Sequence, residues 1–142
     1  MPDNRQWRTG RHVVSALHVH LVFVTKHRCG TLNEKLHAVV KETATAVCRD
    51  FESELLEYEG ESDHVHLLIA YPPKISISRL VNSLKGVTSR KLRKDHYDEI
   101  RDKLWGASFW SPSYCAISNR GASLDTVEAY IRKQQPRQSS RA

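Results

Sequence analysis

The hydrophobic patterning predicts an α+β domain of ferredoxin-like order: β-α-β-β-α-β in an antiparallel sheet, two helices on one face, and a further C-terminal helix. Two observations carry this reading. Runs rich in Val, Leu, Ile and Phe with period two flank two long runs with period 3.6. Turn-forming residues fall at the junctions, at Gly30, Gly60, Pro72-Pro73 and Pro136. All 142 residues read as a single domain, with a polar basic leader over 1–11 and a basic tail over 136–142.

Each element has its own warrant. Residues 16–25 alternate and end at the basic cluster Lys26-His27-Arg28, which predicts a first strand. From Thr31 the period changes: Leu32, Leu36, Val39, Val40, Val47 and Phe51 recur at helical spacing to about residue 52, with Thr31 or Asn33 as cap. Residues 55–61 form a second strand and 60–63 a turn. Val65-His66-Leu67-Leu68-Ile69 forms a third strand, closed by the two prolines. Ile77, Leu80, Val81, Leu84, Val87 and Leu92 mark a long helix with Arg79, Lys85, Arg90, Lys91, Arg93 and Lys94 along its outer side and extension. Residues 110–118 read as a fourth strand, and a last helix begins near Ser123 and stops before Pro136.

Composition narrows the class. A hydrophobic share of 39% with 27% charged residues suits a globular protein able to bury a core. The net charge of +6 favours a polyanionic partner. Cys29, Cys48 and Cys115 are odd in number and lack metal-type spacing, which argues against a disulfide framework and fits a reducing cytoplasm. There is no secretory pattern and no apolar run of about 18 residues, so no membrane association is expected.

His64 and His66 lie two apart on the third strand and therefore share a face, while Val65, Leu67 and Ile69 point into the core. In the ferredoxin-like order the first and third strands are central. The imidazoles then sit mid-sheet, opposite the two packed helices, and the last helix is the expected cover. On that helix Leu124, Val127 and Ile131 form the apolar stripe, with Tyr130 and Gln134 one turn apart beside it. His64, His66 and the Gln134 amide oxygen can together hold a divalent cation with positions open for phosphate oxygens. Tyr130 would present its hydroxyl beside that cation, which favours the phenolate and hence nucleophilic attack on phosphorus. The resulting phosphotyrosine keeps the bond energy, so a strand can be rejoined without ATP.

Asp63-His64-Val65-His66-Leu67-Leu68-Ile69 and Tyr130-Ile131-Arg132-Lys133-Gln134 resemble the single-tyrosine HUH transposases of the IS200/IS605 type. The stretches His20 to Lys26, Ser83 to Gly86, Leu104 to Gly106 and Trp110 to Tyr114 resemble them too, so the likeness spans about residues 12–135. Ser62 stands where members often have proline. The resemblance implies a homodimeric transposase that cuts and rejoins single-stranded DNA at hairpin-bearing element ends, through a 5′-phosphotyrosine link and with Mg²⁺ or Mn²⁺. It implies Tyr130 as nucleophile and His64, His66 and Gln134 as ligands. The tyrosine helix of such proteins often completes the partner's active site. Two other readings stay open: a relative that processes repetitive palindromes in its host, and a ferredoxin-like module that grips nucleic acid without catalysis.

His18-Val19-His20 is a rival histidine pair that spacing alone leaves open, and either ring can face the site as a supporting or DNA-contacting group. Lys26, Arg28, Arg79, Lys85, Arg90 and Arg93 are candidate phosphate contacts. Trp105, Phe109 and Trp110 are candidates for base stacking, with burial as the competing use.

Overall fold

The computed structural model describes residues 8–9, 14–26, 32–101, 109–118 and 124–133. The short strands β1 (Arg8–Thr9) and β2 (Val14–Ser15) pair antiparallel, an element within and beside the basic leader that the pattern of polar residues had hidden. β3 (His18–Val24), α1 (Glu34–Asp50), β4 (Glu54–Gly60), β5 (His64–Ala70), α2 (Ile77–Asp95), the short α3 (Tyr97–Ile100), β6 (Cys115–Ile117) and α4 (Leu124–Lys133) follow. The main sheet has the order β4-β5-β3-β6, and its pairs are antiparallel. This is the ferredoxin-like arrangement, with the two histidine-bearing strands at its centre.

Local chemistry sets the helix ends. The Asn33 side chain accepts from the Leu36 N–H at 2.9 Å and caps α1. At the other end the Glu52 N–H donates to the Arg49 carbonyl at 2.9 Å and the Ser53 N–H to the Cys48 carbonyl at 2.8 Å. That is a Schellman closure, and it places Glu52 at φ 55, a conformation glycine adopts without strain. Ser76 caps α2, accepting from the Arg79 N–H.

α1 and α2 cover one face of the sheet. Leu36, Val40, Val47, Leu80, Leu84 and Leu92 meet Val19, Leu21, Phe23, Val65, Leu67 and Ile69 there in one core. Truncating any of these Leu side chains to Ala costs about 2–5 kcal/mol. On the opposite face Val22 and Val24 pack with Cys115, Ile117, Tyr130 and Ile131, so α4 is indeed the cover on that side.

The expected strand over 110–118 is split. Trp110 makes an isolated bridge with Thr25, and only Cys115–Ile117 joins the ladder along β3. Two causes suffice. Pro112 has no N–H to donate, and the Lys85 ammonium takes the carbonyls of Ser111 at 2.6 Å and Ser113 at 3.4 Å. Among the described residues no helix is long and apolar enough to cross a membrane.

Candidate active site

The polar face of the sheet grows from alternation. β3 and β5 pair with Val22 opposite His66 and Val24 opposite His64. Because Val65 and Leu67 are spent on the helix side, His64 and His66 emerge together on the α4 side, each half-buried. His20, two residues before Val22 on β3, shares that face.

His64 is oriented from its own backbone neighbour. Its Nδ1–H donates to Asp63 Oδ1 at 2.9 Å, which leaves the Nε2 lone pair for a ligand. Asp63 is itself buried, and its carbonyl accepts from the Thr25 N–H at 2.9 Å and the Thr25 hydroxyl at 3.2 Å. The end of β3 thus anchors the residue that aims His64. His66 is held below the ordinary imidazole range, first by burial and then by the neighbouring His20, against the opposing pull of Glu59 and Glu57. Glu59 lies directly across the β4–β5 ladder from His66. A depressed imidazole is neutral at pH 7, the form that binds metal.

His20 is the resident the spacing rules left undecided. Its Nδ1 lies 3.0 Å from His66 Nε2, one ring donating and the other accepting, with ring centroids 5.2 Å apart. Its Nε2 is buried without a hydrogen-bond partner among the described residues. His18 instead turns its Nδ1 to the Ala16 carbonyl at 3.3 Å.

Tyr130 lies half-buried on α4 and packs in the cluster of Val22 and Val24, the cross-strand partners of His66 and His64. Its hydroxyl meets Ser113 Oγ at 2.9 Å. Burial pushes the phenol up from its ordinary value, and the Ser113 bond opposes that shift. A raised phenol stays protonated at neutral pH, so a cation or donor nearby is needed to favour phenolate.

The other expected site residues are dispersed. Gln134 and Arg28 lie outside the described residues, as does Trp105. Lys26 comes one residue after β3, past Thr25, and is half-buried, with its N–H on the Phe109 carbonyl at 2.9 Å. Arg79, Arg90 and Arg93 ride on α2, in the helix layer on the far side of the sheet from the histidines. Spacings of eleven and three put these arginines in one stripe. Lys85, on the same helix, is turned inward to the Ser111 and Ser113 carbonyls, with its ammonium 5.8 Å from the Tyr114 ring centroid. Phe109 and Trp110 are buried, and the Trp110 indole donates to Thr88 Oγ1 at 2.9 Å. Among the described residues no three His, Cys, Asp or Glu side chains gather as a metal cluster.

Sequence reasoning did not single out Ser113 or the orienting part played by Asp63. The signal for Asp63 was its place next to His64. For Ser113 there was no local signal, since its partner is 17 residues on.

The chain thus carries a ferredoxin-like sheet with a histidine pair on one face and, over that face, a helix that bears Tyr130. Residues 13–134 match the IS200-like transposases, and the chain belongs to that family, of the IS200/IS605 type. Its sequence is 30% identical over 129 residues to the ISDra2 transposase TnpA of Deinococcus radiodurans, covering 91% of each chain. The transposase for insertion sequence element IS200 of Salmonella typhimurium is 28% identical over 115 residues, 81% of this chain and 74% of that one. A crystal structure of a protein from Deinococcus radiodurans R1 superposes with a TM-score of 0.82 at 28% identity, over 90% of this chain and 98% of the other. A REP-associated tyrosine transposase bound to a REP hairpin shares the fold alone, with a TM-score of 0.55 at 13% identity, over 87% of this chain and 67% of that one.

Proposed function

We propose that the protein cuts and rejoins single-stranded DNA at hairpin-bearing element ends through a 5′-phosphotyrosine intermediate, working as a homodimer. One observation supports this above the rest: Tyr130 packs on the two valines that stand opposite His64 and His66 in the sheet. Nucleophile and ligand pair then share one face and one end of a rigid ladder.

The donor set fits a divalent cation. His64 keeps its Nε2 lone pair for a ligand, burial keeps His66 neutral with its Nε2 on His20 Nδ1 at 3.0 Å, a bond that a cation there would replace, and the adjoining His20 has a buried Nε2 without a partner among the described residues. His64 and His66, with the Gln134 carboxamide, would hold Mg²⁺ or Mn²⁺. When bound, the cation supplies positive charge to the scissile phosphate and to a forming phenolate.

The chain's own groups do the rest. Tyr130 loses its phenolic proton to solvent and its oxygen bonds to phosphorus. The bond from phosphorus to the 3′ oxygen breaks, and that oxygen takes up a proton from water. Reversal by a 3′-hydroxyl rejoins a strand and frees Tyr130. Asp63 keeps the His64 tautomer fixed throughout.

The test is a labelled single-stranded hairpin oligonucleotide incubated with protein and Mg²⁺ or Mn²⁺. A covalent adduct is expected, absent with chelator and absent in Tyr130→Phe, while hairpin binding persists. An adduct that survives in Tyr130→Phe refutes the nucleophile assignment; binding with no adduct under any metal makes the protein a binding module.

A further inference from the structure

The segment from Phe109 to Tyr114 is tied down more firmly than a surface loop needs to be. The Ser111 N–H donates to the Val24 carbonyl at 2.7 Å, and the Phe109 carbonyl accepts from the Lys26 N–H at 2.9 Å, which fastens the segment to the end of β3. From the other side α2 holds it twice. Thr88 accepts the Trp110 indole N–H, and the Lys85 ammonium donates to the carbonyls of Ser111 and Ser113. Thr88 and Trp110 are buried, and Lys85 sits near the Phe23 and Tyr114 rings, 6.0 and 5.8 Å from their centroids. This bracing holds Ser113 Oγ 2.9 Å from the Tyr130 hydroxyl, with Ser111 Oγ on its other side at 3.4 Å. The same strand end carries Val24, opposite His64, and Thr25, which grips the Asp63 carbonyl.

We propose that Ser113 is a positioning residue for the Tyr130 nucleophile, and that Lys85 sets Ser113 in place by clamping the loop carbonyls. Ser113 donates its O–H to the phenol oxygen as that oxygen becomes anionic, which steadies the phenolate and aims its remaining lone pair. The loop thereby fixes the nucleophile against the framework that carries the histidine pair. Lys85 acts through the backbone of the loop, without touching DNA. This inference rests on the reading of Tyr130 as nucleophile.

Single-turnover adduct formation on the hairpin oligonucleotide tests it, with Ser113→Ala, Ser113→Thr and Lys85→Met compared across pH. Ser113→Ala should slow the adduct by about tenfold to a hundredfold and move its pH dependence upward by about one unit, because a donor to the phenolate is gone. Ser113→Thr keeps the hydroxyl and should restore both rate and profile, with hairpin affinity unchanged in each variant. Lys85→Met should slow the reaction too, and its effect should overlap with that of Ser113→Ala in the double variant instead of multiplying. A wild-type rate and pH profile in Ser113→Ala, or a Thr variant as slow as the Ala one, overturns the role of Ser113. Multiplying effects overturn the link to Lys85. An adduct in Tyr130→Phe overturns the nucleophile reading itself, and so separates the two failures.

Discussion

Cys48 shows how one buried side chain makes the whole fold sensitive to pH. It lies fully buried in α1, and burial raises its thiol from the ordinary 9.0 to about 12. Above pH 9.0 the unfolded chain therefore loses this proton while the folded chain keeps it, and stability falls as pH rises toward 12. Between pH 8 and 10 that loss is about 1.4 kcal/mol. Urea unfolding at about pH 8 and pH 10 should show a drop in wild type that exceeds the drop in Cys48→Ala by that amount. Equal drops in both would mean the thiol does not ionise on unfolding. His66 shows the same physics at the polar face, where burial and His20 keep the ring neutral and able to bind metal. The alternation of β5 was enough to place His64 and His66 on one face. That His20 would abut His66 needed the register of two strands 46 residues apart in sequence.

The turn between β4 and β5 sets where the histidine strand begins, and α1 holds it. His37 on that helix bonds the Tyr58 hydroxyl through Nδ1 and the Glu61 carbonyl through Nε2, both at 2.7 Å. Its ring lies so close to Gly60 that a β-carbon there would collide with His37 Cε1 and sit 2.9 Å from the His64 carbonyl. Gly60→Ala is therefore expected to destabilise by about 1–3 kcal/mol, read from chemical denaturation. A smaller loss in a His37→Ala background identifies the ring as the obstacle. Gly60 read as turn punctuation from sequence, but the turn needs glycine because a helix side chain and the His64 carbonyl together fill the space. The fourth strand carries the same lesson. Its residues have strand character, yet Pro112 and the Lys85 ammonium consume the groups a ladder would use.

For the whole molecule the question is where a net charge of +6 meets a polyanion. The Arg79, Arg90 and Arg93 stripe faces away from the histidine sheet face, so it suits a part of the DNA other than the scissile phosphate. Replacing all three with Gln should reduce the slope of log affinity against log salt by about two for single-stranded DNA, since each phosphate contact contributes about 0.7. Fluorescence anisotropy across salt concentrations measures it, and an unchanged slope removes the stripe from the interface. From the sequence alone came the ferredoxin-like order, the face shared by His64 and His66, the tyrosine helix and the family resemblance, because periodicity and local motifs act over a few residues. The tertiary structure alone decided that His20 joins His66, that Lys85 turns inward, and that Ser113 meets Tyr130. Those contacts join residues far apart in the chain, and only packing and strand register bring them within hydrogen-bonding distance.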